Sequence, residues 1–269
     1  MKILIVGDIH GELHRFAALL RRAQTELGIH AAIQVGDFGF CEDTMRVWLE
    51  SPDAPFSVPV HVIDGNHEDH LWLQHRRLAG ADQLWRKANL MMHGRGTIAR
   101  IGGRQFGFCG GALHADRPQE GAEDILIGQE PLAPNWLTSA QSDQAAAVFA
   151  KHPPEVMITH SCPSGIGIGM QGNDFFSEQV TEWAEELGLG PIPSGDCGEP
   201  TLASLWHRLT IKPRHWLFGH FHTVHQRCLG STSFTCTGAG DRDAVRPIVL
   251  DTQSLELTVG PLWDMAGKV

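Results

Sequence analysis

The sequence has no long hydrophobic run and no recognisable secretion signal. Its N-terminus, MKILIVGDIH, contains one lysine and a four-residue apolar run, which is too short for a signal-peptide core. Nowhere do the ~18 consecutive apolar residues that a membrane span requires occur. We therefore expect a soluble, cytoplasmic protein with no membrane partner.

The six cysteines are widely scattered, and no two of them form a CxxC pair. Closely spaced cysteines are typical of metal-binding ribbons, and regularly spaced ones of secreted disulfide scaffolds. In a long chain without a secretion signal, the scattered pattern favours free thiols.

Basic residues are also in deficit, because 21 Lys and Arg face 31 Asp and Glu, for a formal net charge of -10. An acidic surface disfavours strong nonspecific binding to a nucleic-acid backbone. It does not exclude a small phosphorylated substrate that is held at a local cationic centre.

The first half of the chain alternates between apolar runs and amphipathic stretches. With 269 residues and 42% hydrophobic content, the chain can bury one full core. Strands that are separated by helices indicate an α/β fold with parallel pairing and right-handed crossovers. The predicted elements are strands at Ile3–Val6, Ala31–Val35 and Val58–Ile63 and helices at Leu13–Leu27 and Thr44–Leu49.

The second half reads as hairpins and short strands. A Gly-Gly turn at residues 102–103 predicts one hairpin, and a second is expected over Val224–Thr237. The segment 164–200 is rich in Gly and Pro around a predicted helix at Ser177–Leu187, and we interpret it as an inserted loop or lid within a single domain of residues 1–269. Further strands are predicted at Val156–Thr159, Trp216–Phe218 and Ile248–Leu250.

Polar side chains follow five of the predicted strands at the points where the strands end. Sites collect at the carboxyl ends of strands in open α/β sheets, and the i, i+2 spacing in DIH and HFH directs both side chains to one face. These residues are Asp8 and His10, Asp37, Asn66 and His67, His160, and His220 and His222.

The mixture of carboxylate, amide and imidazole groups suits divalent Mn, Fe or Zn, whereas an all-oxygen set would favour Mg or Ca. These groups are too many for one ion and suit two ions that share a carboxylate. Two metals roughly 3.5–4 Å apart would activate a water and neutralise charge on a phosphoryl group.

These motifs resemble the calcineurin-like metallophosphoesterase superfamily, in the family's order. The resemblance implies two mixed β-sheets that pack as a sandwich flanked by helices, and two bound divalent metal ions. The matching residues are Asp8-Ile9-His10, Gly36-Asp37, Gly65-Asn66-His67-Glu68, His160 and Gly219-His220-Phe221-His222.

The resemblance also implies a role for each matching residue. His67 would face the substrate, where it would stabilise the transferring phosphoryl group or protonate the leaving oxygen. Asp37 would bridge the two metals. The remaining ligands would be Asp8, His10 and His222 for the first metal and Asn66, His160 and His220 for the second.

The sequence departs from the phosphoprotein phosphatase branch directly after Asp37. There the branch has a further Asp and a phosphate-binding Arg, whereas this chain continues Phe38-Gly39-Phe40-Cys41. The chain is more similar to bacterial and phage members of the superfamily. Arg117 and His114 are candidate substrate-binding residues, with a surface position as the alternative for each.

Next to His67, Glu68 and Asp69 are interpreted either as acids that orient His67 or a ligand, or as solvated acids at a helix start. We hypothesise that Gly65 permits a tight turn between strand and ligand.

The resulting hypothesis is a dinuclear metal-dependent phosphoester hydrolase, a phosphodiesterase or phosphatase with nucleotides among its possible substrates, in which a metal-bound hydroxide attacks phosphorus in line. The alternatives are a serine/threonine-type protein phosphatase and a non-catalytic scaffold that keeps the fold. A dinuclear amidohydrolase fits less well, because such enzymes usually use His and Asp ligands in another order.

Overall fold

A computed structural model describes residues 1–80, 82–114, 126–127, 130–131, 134–168 and 174–265. It contains two mixed six-stranded sheets, which confirms the expected fold class. The strands are β1 (Lys2–Val6), β2 (Ala31–Gln34), β3 (Val60–Val62), β4 (Leu90–Met92), β5 (Thr97–Ile101), β6 (Arg104–Cys109), β7 (Leu126–Ile127), β8 (Glu130–Pro131), β9 (Val156–Thr159), β10 (His215–Phe218), β11 (His225–Leu229), β12 (Thr232–Cys236), β13 (Ala244–Val245), β14 (Ile248–Asp251), β15 (Glu256–Val259) and β16 (Trp263–Asp264).

The first sheet has the strand order β15-β14-β1-β2-β3-β4. Strands β1 to β4 are parallel to one another, as the alternation of strands and helices predicts, while β14 pairs with β1 in the antiparallel sense. Strand β3 is shorter than its apolar run, and Pro59, which has no N–H to donate, immediately precedes it. Parallel pairing places the exits of β1, β2 and β3 at one edge of the sheet.

The second sheet has the order β11-β12-β10-β9-β6-β5. Both predicted hairpins are present, at β5–β6 and β11–β12, and each forms an antiparallel edge of this sheet. The central strands β6, β9 and β10 are parallel, so β9 and β10 also end at a common edge.

The two sheets face each other across a buried apolar layer. Ile3 and Ile33 from the first sheet share this layer with Phe106, Ile158 and Leu217 from the second. Each outer face carries a separate cluster beneath its helices. The chain is therefore a sandwich with helices on both outer faces. The shared apolar layer fixes the two sheets relative to each other.

The helices cover the outer faces through apolar stripes. Helix α1 has the predicted bounds, and burial of Phe16 and Leu20 on one side accounts for its position. The helices are α1 (Leu13–Leu27), α2 (Glu42–Glu50), α3 (His70–Leu78), α4 (Asp82–Ala88), α5 (Ser139–Lys151), α6 (Asp174–Glu186) and α7 (Pro200–Arg208). Among the described residues, no helix combines the length and hydropathy that a membrane crossing needs.

Within the segment 164–200, helix α6 lies where the sequence predicts a helix. Its Val180 and Ala184 are buried against Leu113, which follows β6. The segment thus packs beside the loop that carries His114. Its action as a lid stays a prediction.

Candidate metal centre

The strand ends of both sheets bring the predicted ligands together. Two groups of side chains have ligand atoms that all lie within 4.8 Å of one another, and Asp37 belongs to both. The first group is Asp8, His10, Asp37 and His222, and the second is Asp37, His160 and His220. Asn66 apart, these groups contain the residues of the two ligand sets that the resemblance implies.

The backbone at these strand ends is unusual. The φ angle is positive at Asp8 (33°), His10 (42°), Asp37 (55°), His220 (69°) and His222 (52°). The left-handed region is sparsely populated by residues other than glycine, although Asp and His tolerate it better than most. Such strain persists where the surrounding structure over-determines it, and it collects at functional sites.

Asp37 lies at the junction of the two groups. Its Oδ2 is 3.4 Å from His10 Nε2, and its Oδ1 is 3.3 Å from His160 Nε2. Burial by itself would raise the pKa of Asp37, but the charge of His160 and the hydrogen bonds from both imidazoles lower it well below its usual range. A carboxylate with its two oxygens turned toward different ligand groups is placed to bridge two cations.

Asn66 adds its side-chain oxygen to the second group. Its Oδ1 is 3.0 Å from His160 Nε2, and the residue is buried. The other nitrogen of His160, Nδ1, is 2.8 Å from the carbonyl oxygen of Val35. Donation from Nδ1 to Val35 leaves Nε2, which faces Asn66 and Asp37, as the nitrogen that could bind a metal.

The donor set fits divalent cations. Asp8 and Asp37 are buried carboxylates, and an unpaired buried charge is costly. The Asp37 hydrogen bond, opposed by burial, raises the pKa of His10 to about 9. Burial lowers the pKa of His160, but the nearby Asp37 outweighs this and raises it to about 10. Without a metal, protons on these two imidazoles therefore compensate the charge of the carboxylates. Bound cations would neutralise the same carboxylates.

His67 lies at the mouth of the centre. Its backbone N–H donates to Asp37 Oδ1 at 2.9 Å, while its side chain is exposed. Its ring centroid is 5.4 Å from that of His10 and 4.3 Å from that of His114. His114 is buried, so its interpretation as a surface residue is wrong, whereas Arg117 lies outside the described residues.

Glu68 is buried and is not the solvated acid that one interpretation expected. Its carboxylate accepts backbone N–H bonds from Phe38 (2.8 Å), Gly39 (2.9 Å), Phe40 (2.7 Å) and Gly65 (3.2 Å). Burial and the neighbouring Asp37 raise the pKa of Glu68 to about 7, although the hydrogen bonds from Phe40, Phe38 and Gly65 lower it. The residue thus ties the loop after β2 to the loop after β3.

Asp69 and Gly65 have separate structural roles. Asp69 caps α3, because its Oδ1 accepts the backbone N–H of Trp72 at 2.8 Å. Gly65 does not adopt a positive φ angle, and its role in a tight turn stays a prediction. A Cβ atom at Gly65 would overlap the carboxylate and backbone nitrogen of Asp37, which explains why this position has no side chain.

Sequence reasoning missed a contact from the segment that follows β12. Asp241 Oδ2 lies 3.0 Å from His10 Nδ1, and Arg242 Nη2 lies 3.4 Å from His222 Nδ1. The only sequence signal for this contact is the acidic and basic pair in GAGDRD. Nothing in that pattern indicates which strand end the pair contacts.

Comparisons with known proteins agree with this geometry. The family model described as calcineurin-like phosphoesterase matches residues 1–224. No curated protein matches the chain.

Solved structures share the fold at low sequence identity. The protein TT1561 of Thermus thermophilus is 14% identical, with a TM-score of 0.56 and 98% coverage of both chains. A putative 5'-nucleotidase from Staphylococcus aureus is 12% identical with a TM-score of 0.50, and the match covers 98% of this chain and 54% of that one. GAP50, the anchor in the inner membrane complex of Plasmodium, is 9% identical with a TM-score of 0.52, covering 99% and 85%.

Proposed function

The chain belongs to the calcineurin-like phosphoesterase family, and we propose that it hydrolyses phosphoesters with two divalent metal ions, Mn, Fe or Zn. The observation that carries this proposal is the pair of ligand groups that share Asp37. When bound at such a pair, two ions activate a water and neutralise charge on the phosphoryl group.

Histidine side chains line the side of the site where the substrate would bind. The exposed imidazole of His67 stands beside His10 and His114. From that position its ring nitrogen donates a proton to the leaving oxygen or a hydrogen bond to the transferring phosphoryl group. Its backbone N–H donates to Asp37 Oδ1, which anchors the backbone of His67 beside the proposed metal ligands.

Phosphodiesters, including those of nucleotides, are the substrate class that we favour. A diester carries one negative charge on phosphorus, whereas a monoester carries up to two, so it needs less cationic compensation from the protein. The protein phosphatase branch supplies an Asp and an Arg after the bridging Asp, and this chain has Phe38 to Cys41 there. That difference speaks against the protein phosphatase alternative.

A non-catalytic scaffold is the remaining alternative, since the fold also occurs in a Plasmodium protein described as an anchor. The full set of seven ligands and the exposed His67 support an enzyme instead. A scaffold of this fold has no need of either feature.

The test is hydrolysis of bis-p-nitrophenyl phosphate and p-nitrophenyl phosphate by the Mn-loaded full chain. We expect metal-dependent turnover with the diester preferred, and a loss of ~10²-fold or more in kcat for His67→Ala, because that variant lacks the proton donor. His75→Ala is the matched control, since His75 is an exposed histidine on α3.

Three results separate the alternatives. A preference for the monoester would overturn the diester assignment. Equal activity of His67→Ala and the wild type would exclude the role of His67. Bound metal without turnover of either ester would favour the scaffold.

A further inference from the structure

We propose that Asp241 is a positioning residue of the metal centre, which accepts the Nδ1–H of His10 and thereby holds the opposite nitrogen of that ring toward the metals. The inference rests on the proposed function, because it takes His10 to be a metal ligand. It adds a residue from the last part of the chain, beyond residue 224 where the family match ends.

The contact geometry gives the two ring nitrogens of His10 different partners. Nδ1 lies 3.0 Å from Asp241 Oδ2, and Nε2 lies 3.4 Å from Asp37 Oδ2. A carboxylate can only accept, so each ring nitrogen can donate to the carboxylate beside it. A metal at Nε2 would replace the proton on that side, and Nδ1 would keep the proton that it donates to Asp241. A carboxylate behind an imidazole ligand also raises the basicity of the ring and fixes its orientation.

The backbone immediately before Asp241 is fixed to the exit of β1. The backbone N–H of Gly240 donates to the carbonyl oxygens of Gly7 and Asp8, each at 3.0 Å, and Ala239 forms a parallel bridge with Gly7. A Cβ atom at Gly240 would lie 2.7 Å from a methyl group of Val6, so the two backbones approach as closely as glycine allows. This contact places Asp241 beside the strand end that carries His10.

Arg15 of α1 holds the same segment from the other side. Its Nη1 donates to the backbone oxygen of Asp241 at 2.8 Å and to Asp243 Oδ1 at 3.0 Å. Arg15 thus pairs with the carboxylate of Asp243 and the backbone of Asp241, while the carboxylate of Asp241 contacts His10. Both acids lie in one short segment, but only Asp241 has a described contact with a predicted ligand.

The neighbouring ligand His222 has a different environment. Its Nδ1 lies 3.4 Å from Arg242 Nη2, and Arg242 Nε lies 3.6 Å from Asp241 Oδ1. A guanidinium supplies donors only, so it gives the His222 ring no carboxylate assistance. The effect of Asp241 is thus directed to the ring of His10 in the first ligand group.

The experiment is calorimetric titration of the metal-free full chain with Mn²⁺. We compare the wild type with Asp241→Ala, Asp241→Asn and the control Asp243→Asn, which removes the same charge from the same segment. In Asp241→Ala, we expect one Mn²⁺ ion to bind about 10- to 100-fold more weakly, while the other keeps its affinity. Asp241→Asn retains an acceptor oxygen and should recover part of the loss, and Asp243→Asn should bind like the wild type.

The thermal midpoints of the metal-free proteins separate positioning from simple support of the fold. We expect equal midpoints for Asp241→Asn and Asp243→Asn. Wild-type affinity for both ions in Asp241→Ala would overturn the inference and leave the proposed function intact. Equal weakening at both ions together with a lowered midpoint would also overturn it, because Asp241 would then support the fold. A wild-type protein that binds no Mn²⁺ would contradict the proposed function itself.

Discussion

His67 and Asn66 are adjacent residues with opposite surroundings. Asn66 is buried, with its side-chain oxygen at His160, while the imidazole of His67 is exposed beside His114. One strand exit therefore serves both the metal centre and the substrate side. The GNHE motif is polar because Asn66 serves the metal centre and His67 the substrate side.

Gly65 shows how little space surrounds the bridging carboxylate. In Gly65→Ala, the added methyl group would have to displace Asp37, so we expect weaker Mn²⁺ binding and a loss of about 1–3 kcal/mol in the free energy of unfolding. Calorimetry and chemical denaturation measure the two effects. Gly94→Ala is the control, because a Cβ there meets only Thr97 at an ordinary 3.6 Å. Equal effects of the two substitutions would show that the space beside Asp37 is not limiting.

At the scale of elements, one carboxylate joins the exits of two neighbouring strands. Glu68 accepts backbone N–H groups from residues 38–40, after β2, and from Gly65, after β3. Asp37 and Asn66 lie on these two exits. The spacing between the bridging ligand and a ligand of the second group thus depends on Glu68.

The substitution Glu68→Gln tests this connection. The amide has one acceptor oxygen, and its NH₂ group faces backbone N–H donors, so buried donors lose their partner. We expect the free energy of unfolding to fall by about 2 kcal/mol or more and Mn²⁺ affinity to fall with it. Asp69→Asn should leave Mn²⁺ affinity unchanged, because Asp69 is exposed and caps α3. Unchanged affinity in Glu68→Gln would show that the loops hold their spacing without it.

The strand-end motifs could be predicted because each ligand follows an apolar run, and a parallel sheet brings such ends together. Helix α1 could be predicted with its bounds, because its apolar stripe has a clear helical period. Asp241 could not, because its contact with His10 spans 231 residues and depends on how the segment after β12 lies against β1. The burial of Glu68 escaped prediction for a related reason, since its partners are backbone groups that leave no mark in the sequence.

At the scale of the whole molecule, both sheets contribute to the centre. Asp8, His10, Asp37 and Asn66 follow strands of the first sheet, and the other three ligands, His160, His220 and His222, follow strands of the second. Each of the two groups combines residues from both sheets. The sandwich must therefore be assembled before either group exists, so we predict that metal binding and the folded state are linked.

A dinuclear centre that hydrolyses phosphodiesters is best tested by titrating the metal-free protein with Mn²⁺, while bound metal and hydrolysis of bis-p-nitrophenyl phosphate are followed together. We predict negligible turnover without metal and a plateau at two bound ions per chain, because both ligand groups must be filled. Full turnover with one ion per chain, or turnover that persists after chelation, would contradict a dinuclear mechanism.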